Sequence, residues 1–147
     1  MKKLFFLVLI ILLFVTPTLA SGSITRNNSE PANLVIYQSN RWSPMAKWDL
    51  TNLSLPQEAT ISKLKVEWDI FTNLSTQEYT GLTVVVSNQK KEVELNIDQF
   101  VAEGTTTAFN GASIEQEWSI RYYVEELKYE GNYFALTPTL KIYYEVD

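Results

Sequence analysis

Carboxylates and aromatic rings are the side chains through which this chain can do chemistry, because it contains no histidine and no cysteine. Those two absences remove histidine-based triads, thiol nucleophiles, disulfides and the usual zinc and copper ligands. There is no glycine-rich phosphate loop. What remains for catalysis is a pair of acids, which a glycosidase needs about 5 to 10 Å apart across a cleft. Asp49 and Asp69 each follow a tryptophan, and Glu115 and Glu117 flank a loop. Outward charges on alternating strands produce the same pattern, and solvated strand faces are the reading adopted here. A structural calcium held by Asp98, Glu103 and loop carbonyls is conceivable. No Asp-x-Asp spacing supports it, so no cofactor and no metal site are expected.

The rings are the stronger lead. Four tryptophans and eight tyrosines in 147 residues exceed what one core needs. Trp48, Trp68, Trp118, Tyr122 and Tyr144 fall on the inward phase of alternating segments. Trp42, Tyr79, Tyr123, Tyr133 and Tyr143 fall in turns or on the outward phase, and are the candidate ligand-binding residues. Sugars stack their apolar C–H faces on such rings, with amides and carboxylates fixing the hydroxyls. A protein partner uses the same residue types. A third explanation is that tyrosine is simply a good strand residue with a wettable hydroxyl.

The elements that must position these rings are strands. From Lys63 to Phe71 the apolar residues Leu64, Val66, Trp68 and Ile70 alternate with Lys63, Lys65, Glu67 and Asp69. A period of two with charge on one side is a half-buried strand. The same alternation runs through 82–87, 92–97, 118–125 and 140–147, and 33–38 and 46–53 are also strand-like. Turn signals separate them at Ser87 to Lys90, Asn110-Gly111 and Glu130 to Asn132. The expected fold class is all-β, an antiparallel β-sandwich of about seven to eight strands, of jelly-roll type. Asp98 to Gln116 is expected as a long crossing loop with a short strand around Phe109, and 124–129 as a stretch with room for a helical turn.

The first twenty residues read as a cleavable secretory signal: Lys2 and Lys3, a twelve-residue apolar run from Leu4 to Val15, then small residues at Thr18 and Ala20. The run is shorter than the roughly 20 residues a membrane span needs. Cleavage is expected after Ala20, followed by a flexible leader over 21–32 and a single domain over 33–147, with no membrane span in the mature chain. The product is expected to be secreted and extracellular. The disulfide-free composition and short Lys-Lys signal lean toward a bacterial exporter. Loss of two of the 12 basic residues sets ten against 17 acids, a net charge of −7. Nucleic-acid partners, which require clustered cations, are not expected. Asn27, Asn52 and Asn73 head Asn-x-Ser triplets, which would accept glycans in a eukaryote.

Two stretches carry a family resemblance. Arg41-Trp42-Ser43-Pro44-Met45-Ala46-Lys47-Trp48-Asp49-Leu50, then Leu55-Pro56 and Ala59-Thr60-Ile61, is similar to the opening of the disaggregatase-related jelly-roll domains. Pro138-Thr139-Leu140-Lys141-Ile142-Tyr143-Tyr144 resembles their last strand. The family's middle motif, a Trp-containing segment and an Asp-Val-Thr helix start, has no counterpart. Tyr79-Thr80-Gly81-Leu82, Phe109-Asn110-Gly111 and Glu117-Trp118-Ser119-Ile120 resemble the middle of the P domain of secreted proteases. Gly81 stands where that family has an acid, so its calcium site does not carry over. Both resemblances imply a β-sandwich, and the first implies a carbohydrate-associated or cell-surface binding module.

The functional expectation is a secreted, non-catalytic module that binds glycan or another cell-envelope component. One alternative is a secreted protein-interaction or structural factor. A second is a small glycan-active enzyme using paired carboxylates.

Overall fold

The structure, a computed structural model, describes residues 20–56, 58–72, 79–98, 102–128 and 132–146. In chain order the strands are β1 (Ala20–Arg26), β2 (Leu34–Ile36), β3 (Arg41–Trp42), β4 (Ala46–Asp49), β5 (Ala59–Thr72) and β6 (Tyr79–Ser87). They continue with β7 (Glu92–Glu94), β8 (Asn96–Asp98), β9 (Glu103–Thr106), β10 (Glu117–Leu127) and β11 (Phe134–Val146). The fold is all-β, and two antiparallel sheets pack face to face. The first has the order β1-β11-β5-β9-β8, with β2 also on β11. The second has the order β3-β10-β6-β7, with β4 also on β10.

Alternation decides which side chains lie between the sheets. Leu64, Val66 and Trp68 of β5 are buried, as are Leu136, Leu140 and Ile142 of β11. Facing them are Val84 and Val86 of β6 and Trp118, Ile120, Tyr122 and Val124 of β10. β5 and β11 run together from Thr72↔Phe134 to Ala59↔Val146, with one bulge between Tyr143 and Tyr144. That ladder is the backbone of the first sheet. The pairing of β10 with β6, from Ser119↔Ser87 to Leu127↔Tyr79, is its counterpart in the second.

One polar group crosses the interior. The Tyr122 hydroxyl lies 2.9 Å from the Leu34 carbonyl oxygen and equally within reach of that of Phe134. Leu34 and Phe134 sit on the paired strands β2 and β11. The phenol of the second sheet therefore donates into the ladder of the first. Burial raises its pKa above the ordinary 10. Trp118 Nε1 donates to the Ile114 carbonyl at 3.2 Å, and its indole meets Phe109 edge-on at 5.0 Å.

Four expectations need correction. The segment 21–32 is no flexible leader: β1 pairs with β11 from Ala20↔Val146 to Arg26↔Leu140. Backbone pairing orders it although its side chains are mostly polar. Ile24 packs against the core, and Gly22 leaves room for the Tyr144 ring, which any Cβ there would strike. Within 98–116 the strand is β9, not the neighbourhood of Phe109, which is buried in a turn. β10 continues to Leu127, so no helical turn forms over 124–127. The strand expected over 92–97 is split at buried Leu95, where the chain passes from one sheet to the other. The Ser87 to Lys90 turn is as expected, with Asn88 Oδ1 accepting from the Lys90 and Lys91 amides. The turn at Glu130 to Asn132 falls largely outside the described residues.

Truncating Trp68, buried between the sheets, is expected to cost about 3–5 kcal/mol in the Trp68→Ala variant, measured by urea unfolding. Tyr122→Phe leaves two carbonyls without their donor and is expected to cost about 1–3 kcal/mol by the same measurement. Because the folded phenol resists ionisation, its contribution is complete below pH 10 and falls as pH rises past it. Alkaline denaturation midpoints of the wild type and Tyr122→Phe should converge above that pH.

Candidate binding site on the second sheet

β3 is only two residues long, so its neighbours must fix it. Ser43 is buried and grips Tyr122 from both sides: its amide donates to the Tyr122 carbonyl at 2.8 Å, and its Oγ accepts from the Tyr122 amide at 3.0 Å. On the other flank the Asn40 amide donates to the Val124 carbonyl at 3.0 Å. Asn40 has φ of 56°, in the left-handed region that asparagine tolerates. These contacts set Trp42 opposite Tyr123 and Arg41 opposite Val124.

On the outer face the side chains form a continuous row. Glu92 of β7 receives Arg121 Nη2 at 2.8 and 2.9 Å from its two oxygens. The Arg121 guanidinium carbon lies 4.3 Å from the centre of the Trp42 indole. Trp42 meets Tyr123 at 5.4 Å with the rings tilted by 47°. The Tyr123 hydroxyl donates to Asn40 Oδ1 at 2.6 Å. Lys47 and Glu117 pair at 2.8 Å nearer the other end of β10. Val85, opposite Arg121 in register, is buried on this outward side. The Arg121 Nε is buried without a hydrogen-bond partner among the described residues.

Trp42 nevertheless stays 42% exposed. Tyr37 at 71% and Met45 at 41% are the other exposed large apolar residues among those described. All three come from one stretch, 37–45: Trp42 and Met45 lie along the interrupted edge of the second sheet, while Tyr37 directly follows β2 of the first sheet and meets Tyr133. Singly exposed apolar residues are ordinary; Trp42 and Met45 are notable because they are neighbours on one edge. A stacked indole and phenol rimmed by a guanidinium, an amide and carboxylates can bind an apolar face and hydrogen-bond polar groups around it.

The five candidate rings separate. Trp42 and Tyr123 come together. Tyr143 lies on the outer face of the first sheet, with Lys63 and Lys141 near its ring. Tyr133 meets Tyr37 at 6.3 Å. Tyr79 is half-buried against Phe134 at 4.6 Å, and burial raises its pKa, so it belongs to the edge of the core rather than to a binding surface. Sequence reasoning missed Arg121, Asn40, Tyr37 and Met45. An arginine two residues before Tyr123 on the outward phase was the available signal for Arg121.

The four acids weighed as catalytic pairs are placed as follows. Asp49 and Asp69 belong to different sheets. Asp49 accepts from the Thr51 hydroxyl at 2.6 Å and the Thr51 amide at 3.0 Å, which lowers its pKa. That is an acceptor closing a turn rather than a proton donor. Glu117 is opposite Asp49 and bound to Lys47, while Glu115 is exposed in the preceding loop. Glu103 binds Lys65 at 2.5 Å, and no group of three or more acids able to hold a metal occurs among the described residues. Ala20 is exposed at the head of β1. Among the described residues, no helix is long and apolar enough to cross a membrane.

With this geometry in hand, the chain can be set beside known structures. It aligns with the crystal structure of FLHE at a TM-score of 0.56 and 13% identity, over 87% of this chain and 99% of that one. At that identity the likeness concerns the fold alone. A chain of the cyanophage Pam1 capsid asymmetric unit aligns at a TM-score of 0.38 and 14% identity, over 88% and 84% of the two chains, too loosely to bear on fold or function. No family model matches the chain, and no curated protein matches it.

Trp48, Trp68 and Trp118 are buried, so Trp42 is the one indole of the four that solvent reaches. Iodide is expected to quench a minor fraction of the tryptophan emission in the wild type. Trp42→Phe should abolish that fraction and leave the melting temperature within a few degrees, since a surface substitution costs about 0.5 kcal/mol or less.

Proposed function

We propose that the protein is an exported, non-catalytic β-sandwich module that binds glycan through the Trp42–Tyr123 platform. The observation that carries this reading is the half-exposed indole held in place by Arg121 on its ring and by Tyr123 beside it. A ring fixed before the ligand arrives loses little freedom on binding, which is what a weak stacking interaction needs to yield measurable affinity. Sugar C–H faces stack on the indole. Asn40, Glu92 and the Tyr123 hydroxyl supply donors and acceptors at its rim. Export is supported by the tripartite pattern of the first twenty residues.

A second reading is a protein partner docking on the same edge. Met45 favours it, because a flexible thioether suits a partner's irregular apolar surface.

Titration of tryptophan emission with soluble envelope or plant polysaccharides separates the two. Glycan binding is expected to shift or quench the emission. Trp42→Ala should weaken that binding by about tenfold or more, a loss of about 1.4 kcal/mol, without lowering the melting temperature appreciably. A flat response to every glycan, together with stoichiometric capture of a defined protein that Trp42→Ala abolishes, would establish the second reading instead.

A further inference from the structure

We infer that a separate subsite for an anionic sugar unit lies on the outer face of the first sheet, centred on Tyr143 between Lys63 and Lys141. It belongs to the other sheet from the Trp42–Tyr123 platform and does not depend on it. Tyr143 is paired with Lys63 across β5 and β11, and Lys141 precedes it by two residues on the same outward side. The two ammonium groups stand 5.3 and 5.2 Å from the ring centre. Neither has a carboxylate within salt-bridge distance among the described residues. Other cations of the two outer faces are differently placed: Lys65 is held between Glu103 and Glu67 at 2.5 and 2.7 Å, Lys47 by Glu117, and Arg121 by Glu92. In a chain of net charge −5, two ammonium groups that converge on one ring without a salt-bridged carboxylate stand out, although Glu67 lies near enough to feel Lys141 and Glu94 shares a hollow with Lys63.

On the other side of Lys63 from this ring, across β5, is a polar hollow of about 320 Å³ lined by Lys63, Glu94, Asn96 and Thr105 to Thr107. Its amide, hydroxyls and carboxylate suit the hydroxyl groups of a sugar. A bare sulfate or phosphate would use the ammonium groups and leave the ring and the hollow idle. A nucleic acid, which needs cations clustered along its backbone, is disfavoured by a patch of only two lysines. A uronate has one charge per sugar and an apolar ring face. Its carboxylate fits between Lys63 and Lys141, its face lies on Tyr143, and its hydroxyls or the next sugar enter the hollow.

Calorimetric titration of the purified protein with a linear oligogalacturonate tests this, with the neutral oligosaccharide of the same length and sodium sulfate as comparison ligands. Binding of the uronate is expected at low salt and should weaken as salt rises. Tyr143→Ala should reduce affinity by about tenfold or more. Lys63→Gln with Lys141→Gln, which removes both charges and shortens each side chain by a single atom, should remove binding while circular dichroism and melting stay unchanged. Trp42→Ala should bind the uronate like the wild type even if it loses every neutral glycan. The inference is overturned if the uronate does not bind, or if, in the Trp42→Ala variant, the neutral oligosaccharide or sulfate binds as tightly. Survival of binding in the double glutamine variant, or its loss in Trp42→Ala alone, would overturn it as well.

Discussion

A phenol taken out of water must find a partner, and in this protein the search ends in the opposite sheet. Tyr122 belongs to β10, yet its one hydroxyl proton is shared between the carbonyls of Leu34 and Phe134, on strands of the first sheet. Apolar burial holds two layers together without fixing how they slide, because it is non-directional. A hydroxyl aimed at two particular carbonyls is directional. With no disulfide available, this contact and the surrounding Trp118, Phe134 and Leu136 set the relative placement of the layers. A buried group left unpaired costs more than a pair gains, so the arrangement is enforced mainly by what slippage would break.

The outer surface inherits that constraint. Side chains of a strand alternate, so holding Tyr122 inward turns Arg121 and Tyr123 outward. The Tyr122 backbone is also what Ser43 grips, and Ser43 is the neighbour of Trp42. One residue thus anchors the interior with its side chain and organises the aromatic platform with its main chain. The platform itself spans β3, β10 and β7, so its geometry is set by strand register rather than by a loop.

The sequence made the middle of the fold legible because alternation in the long strands is unambiguous. Leu64, Val66, Trp68, Trp118, Ile120 and Val124 lie where their spacing places them. Short pieces were harder. β3, with two residues, has no period to detect, and the run through 92–97 hides the break at Leu95 because both halves keep their apolar phase. β1 reads as a leader because polarity says nothing about backbone pairing, and its contacts are with the far end of the chain. The pairing of Trp42 with Tyr123 was half visible: both were recognised as outward rings, but their meeting depends on register between segments eighty residues apart. Tyr79 was misjudged because its burial comes from Phe134 on another strand, which no local pattern reports.

The first-half strands share one further property. β1 and β2 lie end to end along β11, and β3 and β4 lie end to end along β10. Each sheet is therefore bordered on that side by two short pieces with a gap between them, the longest being seven residues. A straight, uninterrupted border is where one molecule recruits the next, adding rung upon rung until a fibre forms. Here the hem is cut on both sheets, so an arriving strand finds no continuous template to copy. The cut hem and the net negative charge act in the same direction, both opposing the stacking of one copy on another.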